Sequence, residues 1–151
     1  MTYVTDDLIW SVRAFVYQRF ADTARAANVD EVAAQFHLTR DAAAEVYAEL
    51  DRRHAFFLEP GTYDIRIANP FSAVPTDFVV RAQGREYWAN CAWDSLGIAA
   101  ALHSDAVINT TYAEDDVPLT LTISNGVVHH PAAVVHLLVP VQHWYDDMVF
   151  T

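Results

Sequence analysis

The sequence holds a single cysteine, Cys91, and it stands three residues before an acid, Asp94. In a helix, residues three apart share one face, so a thiol and a carboxyl at this spacing become neighbours. We place Cys91 in the first turn of a helix, where backbone N–H groups and the helix dipole lower the pKa of a thiol and favour the thiolate. The pair therefore predicts thiolate chemistry coupled to a proton transfer.

The residues around this pair are apolar and aromatic, with Trp88 and Trp93 nearby. Burial among them would raise the pKa of the Asp94 carboxyl and let it hold a proton near neutrality, as a proton donor must. The two tryptophans are candidates for the walls of a substrate pocket, with ordinary core packing as the alternative. A lone cysteine is often a small buried hydrophobe and a lone aspartate often a cap, so spacing alone leaves these alternatives open.

The elements that must position the pair belong to the second of two predicted domains. Gly and Pro residues between positions 59 and 76 divide a helical part, residues 1–77, from a mixed part, residues 78–151. In the second part the pattern predicts a strand at 78–82, a turn, and an apolar helix from Trp88 to His103. Later strands are predicted at 106–112, 119–124, 127–129, 133–139 and 148–151. This part is therefore a small mixed β-sheet lobe with one buried helix, and the chain is of the α+β class.

The first part has apolar residues at helical spacing, which predicts three helices. Capping residues mark their starts: the run Thr5-Asp6-Asp7, then Asn28 or Asp30, then Thr39 for a helix that reaches about Arg53. Strands at 56–58 and 63–67 around a turn at 59–62 then predict a β-hairpin. Three helices followed by a hairpin is the order of a winged helix-turn-helix lobe.

Composition and charge limit the classes of function. The chain has 151 residues, 53% of them hydrophobic, and a formal net charge of −11. All nine basic residues are arginines and none follows Arg85, so residues 86–151 carry only acidic charges and should repel phosphates and anionic membranes. The predicted third helix carries four acids against three arginines, so we expect neither nucleic-acid nor membrane binding.

The same sequence predicts a small-molecule partner and a cytoplasmic location. One cysteine excludes an internal disulfide and suits a reducing compartment, and we find neither a signal peptide nor a transmembrane segment. Histidines at positions 129, 130, 136 and 143 match no common zinc pattern, and we expect His136 to be partly buried in the strand 133–139. No cofactor is expected.

The run from Phe78 to Leu102, with Tyr87-Trp88-Ala89-Asn90-Cys91-Ala92-Trp93-Asp94 inside it, resembles the thiol-bearing segment of the organomercurial (alkylmercury) lyase family. The segments 105–106 and 117–123 and the preceding winged-helix lobe continue the similarity. The resemblance implies protonolysis of a carbon–mercury bond. In it Cys91 matches the first thiol, which binds mercury, and Asp94 matches the acid that delivers the proton.

The chain departs from the family pattern in one respect. The family's other thiol lies downstream, and the corresponding stretch here, residues 144–151, has no cysteine. The chain is then either a shortened form whose missing tail held that thiol, or a divergent member that uses Cys91 and Asp94 on a different, non-mercury substrate. A third hypothesis is a non-catalytic winged-helix protein that binds mercury or a protein partner.

Overall fold

The computed structural model describes residues 4–130 and 132–148, and in these ranges it contains four α-helices and eight strands. The predicted α+β class is confirmed. The chain divides into two compact units between Pro75 and Thr76. None of the helices in the described ranges has both the length and the apolar character needed to cross a membrane.

The first unit begins with three helices whose first turns are capped by side chains. The helices are α1 (Asp6–Thr23), α2 (Val29–Phe36) and α3 (Arg40–Arg52). Thr39 is the predicted cap, and Thr5 and Asn28 are the caps among the candidates named for the first two helices; each of the three accepts a hydrogen bond from a backbone N–H of the following turn. These bonds satisfy backbone donors that have no partner within the helix, which fixes where each helix starts.

Three short antiparallel strands follow: β1 (Phe57–Leu58), β2 (Ile65–Ala68) and β3 (Phe71–Ser72). The first two form the predicted hairpin, whereas β3 was not predicted because the Asn69-Pro70 pair reads as loop punctuation. The buried core of the helices and of the segment that follows them includes Val12, Val16, Phe20, Tyr47, Leu50 and Phe56. Within it the ring of Phe20 stacks on that of Phe71 at 5.2 Å.

The second unit is built around five antiparallel strands in the order β5-β4-β6-β7-β8. Its elements are β4 (Val79–Ala82), β5 (Arg85–Ala89), helix α4 (Ala92–Leu102), β6 (Ala106–Thr111), β7 (Pro118–Ser124), β8 (Val127–His129) and a 3₁₀ turn at Val141–His143. Central β4 places Val80 opposite both Tyr87 and Ile108, and all three are buried. Ile98 of α4 is also fully buried.

Two of the predicted elements in this unit were wrong. The helix starts at Ala92, because Trp88 and Ala89 belong to β5, where Trp88 is the register partner of Val79 on β4. An apolar run of this kind fits a buried strand as well as a helix, and pairing with β4 decides for the strand.

The residues 133–139 form no strand, and His136 is exposed rather than partly buried. Apolar residues alternate in this segment as they do in a strand, but the segment has no neighbouring strand to pair with in the described residues, since β8 ends at His129. The last predicted strand, 148–151, falls mostly beyond the described residues, which end at Met148.

Candidate active site

Cys91 lies where β5 leads into α4. The backbone N–H of Ala89 donates to the carbonyl of Phe78 at 2.9 Å, and the hydroxyl of Thr76 donates to the carbonyl of Ala89 at 2.6 Å. These two bonds fix the end of β5 two residues before the cysteine. Cys91 itself has extended backbone angles, φ −149° and ψ 178°, and its carbonyl accepts from the N–H of Ser95 at 3.0 Å.

Cys91 is therefore the N-cap residue of α4, and the prediction that it lies inside the first turn was wrong by one position. The difference arises because β5 holds the chain extended through Ala89, which delays the start of the helix. The thiol still lies at the end of the helix where backbone N–H groups have no partners within the helix. Its side chain makes no capping hydrogen bond to them.

The Cys91 thiol and the Asp94 carboxyl are brought together as their spacing predicts. The Sγ atom of Cys91 donates to Oδ2 of Asp94 at 3.4 Å, within the range of a hydrogen bond from sulfur. Both residues are partly buried. A soft metal ligand and a proton-carrying group thus share one hydrogen bond at the start of a helix.

Burial raises the pKa of the Asp94 carboxyl, and the hydrogen bond from Cys91 opposes this only in part. This direction was predicted, because a carboxyl that loses water favours its neutral form. A raised pKa brings the Asp94 carboxyl closer to holding a proton at neutral pH, which is the property of a proton donor.

The pKa of the Cys91 thiol is also raised, contrary to the prediction of a helix-stabilised thiolate. Burial is the largest cause, and the negative charge of Asp94 adds to it. The N–H groups of Asp94 and Trp93 act in the opposite direction and are outweighed. The surroundings of Cys91 therefore favour the thiol over the thiolate.

Neither of the two tryptophans predicted to line a pocket contributes to the cavity beside α4 or to the open groove described below. Trp93 is 60% exposed on α4, and Trp88 is partly buried on β5. Their role in substrate binding stays a prediction. Mercury binding by Cys91 also stays one.

A cavity of about 190 Å³ lies against the first two turns of α4, and sequence analysis did not find it. We call it the α4 cavity, and its lining comes from α4, β6, β7 and the segment 133–136: Phe78, Ala92, Ser95, Leu96, Thr110, Thr111, Tyr112, Ala113, Leu119, Leu121, Ala133, Val134, Val135 and His136. Ala92 follows Cys91 directly, and Ser95 follows Asp94. The alternation of Leu119 and Leu121 on β7 was the one sequence signal for it, because alternate residues of a strand face the same side.

A larger open groove of about 550 Å³ lies between the turn joining β4 to β5 and the ends of β6 and β7. Its lining includes Gly84, Arg85, Asp105 and Ser124. Because Gly84 and Cys91 lie at opposite ends of β5, this groove is at the wrong end of the strand to serve the thiol. Volume alone therefore does not identify the site.

The two arginines of α3, Arg40 and Arg52, and its C-cap residue Arg53 are held in ion pairs. Arg40 lies 3.1 Å from Asp30, and Arg52 and Arg53 each lie 2.6 Å from Glu49. Absence of nucleic-acid binding stays a prediction. Within residues 4–130 and 132–148, no group of three or more His, Cys, Asp or Glu side chains is arranged to hold a metal ion.

Comparison with known proteins adds an independent finding. The family model for alkylmercury lyase (MerB) matches residues 71–151, which is more than half of the chain. A solved structure, the mercury-bound form of MerB2, matches 83% of this chain with a TM-score of 0.65 and 21% sequence identity. The match covers 60% of that chain's length, and at this identity it shows a shared fold. No curated protein sequence matches.

Proposed function

This chain belongs to the alkylmercury lyase family, and on that premise we propose that it is an enzyme that cleaves a carbon–mercury bond by protonolysis. The substrate is a small organomercurial, with Cys91 as the mercury ligand and Asp94 as the proton donor. The observation that carries the proposal is the 3.4 Å hydrogen bond between Sγ of Cys91 and Oδ2 of Asp94. It joins the group that prefers soft metals to a group that can move a proton.

The same bond gives a route for the proton. When the sulfur of Cys91 bonds to the mercury of the substrate, its proton passes along the hydrogen bond to the Asp94 carboxylate. Asp94 then donates that proton to the carbon as the electron pair of the carbon–mercury bond becomes the new carbon–hydrogen bond. The hydrocarbon leaves, and the mercuric ion stays on the sulfur.

A raised pKa at both groups suits this sequence of steps. A thiol that keeps its proton until mercury arrives supplies the proton that the reaction consumes. A carboxyl with a raised pKa holds it long enough to transfer it to carbon. Partial burial of both side chains keeps water from competing for the proton.

A second sulfur for mercury has to come from outside this sequence, which contains one cysteine. We propose that a small thiol in solution fills this role. Two such thiols displace the mercuric ion as its bis-thiolate, and of their two protons one returns to Cys91 and the other passes to solvent. The rate should then rise with thiol concentration, because product release depends on it.

The test measures benzene released from phenylmercury in excess small thiol, by gas chromatography. We expect release by the native chain, none above background for Cys91→Ala, and a strong decrease for Asp94→Asn. Glu86→Gln is the matched control, because it makes the same acid-to-amide change at an exposed residue paired with Arg81 at 2.9 Å. Equal release by the native chain and Cys91→Ala would contradict the proposal.

A further inference from the structure

We propose that Thr76 is a positioning residue for Cys91. The Thr76 hydroxyl lies between a backbone N–H just before β4 and the last carbonyl of β5, and it ends the pairing of the two strands there. This leaves Cys91 at the N-cap of α4, beside Asp94. The link to catalysis rests on the proposed function, whereas the placement of the thiol does not.

The Thr76 hydroxyl bridges two backbone groups. It donates to the carbonyl of Ala89 at 2.6 Å and accepts from the N–H of Phe78 at 3.3 Å. The carbonyl of Phe78 is a second acceptor, but it lies farther away at 3.4 Å, so the single hydroxyl proton goes to Ala89. Thr76 therefore ties the end of β5 to the segment that precedes β4.

This bridge takes the place of a backbone hydrogen bond. Val79 pairs with Trp88, and the same register continued by one residue sets Phe78 opposite Ala89. In an antiparallel ladder, an opposed pair joined by hydrogen bonds exchanges two of them. One is present, from the N–H of Ala89 to the carbonyl of Phe78 at 2.9 Å. The other is missing among the described residues, because the oxygen of Thr76 takes the N–H of Phe78.

The bridge also decides what happens to Cys91. Continued by three residues, the register of β4 and β5 would set Thr76 opposite Cys91, but the described ladder ends before this pair. The Thr76 side chain bonds the N–H two residues ahead, and such a local turn competes with an extended strand. The carbonyl of Cys91 accepts instead from the N–H of Ser95 at 3.0 Å, which begins α4. Without this turn, further pairing would draw Cys91 into β5 and away from the N-cap.

The position of Cys91 decides whether its thiol reaches Asp94. Sγ of Cys91 and Oδ2 of Asp94 are 3.4 Å apart, and Asp94 belongs to the first turn of α4. Misplacement of reacting groups by about 1 Å can lower a rate about a hundredfold. A shift of Cys91 relative to α4 should therefore slow the proton transfer more than it weakens the binding of substrate.

The test removes the hydroxyl of Thr76 and keeps the shape of its side chain. Thr76→Val loses both bonds of the bridge, whereas Thr76→Ser keeps the hydroxyl. We expect Thr76→Val to lower kcat for phenylmercury roughly tenfold to a hundredfold and to leave KM within about twofold, and Thr76→Ser to restore most of the lost rate. A native kcat in Thr76→Val, or an effect on KM alone, would overturn the proposal.

Thr62→Val is the matched control. The Thr62 hydroxyl also bridges two backbone groups, since it donates to the carbonyl of Glu59 at 3.1 Å and accepts from the N–H of Asp64 at 3.0 Å, in the turn between β1 and β2. Its loss should change neither kcat nor KM. A decrease in kcat as large as that of Thr76→Val would show that losing any such bridge slows the enzyme, and it would overturn the assignment to Thr76.

A second arm needs no turnover. Backbone amide signals in ¹H–¹⁵N NMR spectra report the placement of the thiol, and we expect those of Asn90, Cys91 and Asp94 to move in Thr76→Val and to return in Thr76→Ser. If Thr76→Val does not fold, Thr76→Ala, which adds no bulk beside the two backbone groups, replaces it in both arms. Native positions of the Cys91 and Asp94 signals in the folded variant would overturn the proposal even if benzene is released. Moved signals in a chain that never cleaves phenylmercury would instead contradict the proposed function and leave Thr76 as the residue that places the thiol.

Discussion

Helices α2 and α4 carry different side chains at the same two positions, the N-cap and the third residue of the helix. In α2 the N-cap Asn28 and Glu31, three residues on, form a capping box in which each side chain bonds the other residue's backbone N–H at 2.9 Å. In α4 the same positions hold Cys91 and Asp94, which bond each other instead and make no capping bond.

This difference separates a helix start that stabilises the fold from one that is left available for reaction. The box in α2 satisfies two backbone donors. The start of α4 gives up that contribution and keeps a thiol and a carboxyl with raised pKa values at a helix end. Functional sites commonly carry such a cost in stability. The following predictions test the contrast in order of decreasing effect.

Among the changes that keep the thiol, Asp94→Asn should have the largest effect, a decrease in kcat on the order of 10²- to 10⁴-fold, because it removes the proton donor. In the native chain, kcat should fall as pH rises through the raised pKa of the Cys91 thiol, since Asp94 receives from that thiol the proton that it donates to carbon. The measurement is a pH profile of benzene release. A native profile that stays flat while Asp94→Asn is fully active would assign the proton to another group.

The free energy of unfolding should also depend on the protonation of Asp94, and the direction of its change with pH is fixed by the raised pKa. Folded Asp94 holds its proton to a higher pH than unfolded Asp94, so its contribution is present below the unfolded pKa and is lost as pH rises through the folded pKa. Urea denaturation across pH should show this loss in the native chain and in Glu86→Gln. If Asp94→Asn shows the same decline in stability, the decline comes from another titrating group.

Asn28→Ala should lower the free energy of unfolding by about 1 kcal/mol, since it removes the side-chain oxygen that accepts from the backbone N–H of Glu31 but keeps the backbone N–H that donates to the Glu31 carboxylate. Urea denaturation measures the change. Gln35→Ala, at an exposed position of the same helix, is the control and should change stability little. A loss as small as that of Gln35→Ala would mean that the box does not stabilise α2.

Cys91→Ser, at the N-cap of α4, should raise the free energy of unfolding instead of lowering it. Serine is a favoured N-cap residue whose oxygen can accept from the backbone N–H of Asp94, so we expect a gain of about 0.5–1 kcal/mol together with loss of benzene release. Cys91→Ala should lose activity without the gain. If serine is no more stable than alanine here, the idea that α4 forgoes a cap is wrong.

Glu49→Gln should have the smallest effect. Hydrogen bonds from Arg52 and Arg53 lower the pKa of Glu49 to about 2. Its contribution is therefore present above the ordinary glutamate pKa and is lost as pH falls toward 2, opposite in sign to that of Asp94. Because the pairs lie at the surface, solvent screens them and the change is small. Acid titration of unfolding in the two proteins checks it.

Local features were predictable from the sequence. Capping residues located the helix starts of the first unit, uniquely at Thr39 and to within two residues at Thr5 and Asn28, because a cap bonds backbone groups only two or three residues away. The contact between Cys91 and Asp94 was predictable for the same reason. The strand that contains Trp88 was not predictable from the sequence, because whether this segment forms a strand or a helix depends on the pairing of Trp88 with Val79.

The sequence by itself therefore determined the α+β class, three capped helices and the pairing of a thiol with a carboxyl. Only the tertiary structure decided that the pKa of the thiol is raised rather than lowered, because that pKa depends on how much water distant elements exclude. It also decided where the α4 cavity lies, since α4, β6 and β7 must meet to enclose it. Short-range hydrogen bonds follow chain order, whereas burial depends on which distant segments pack together.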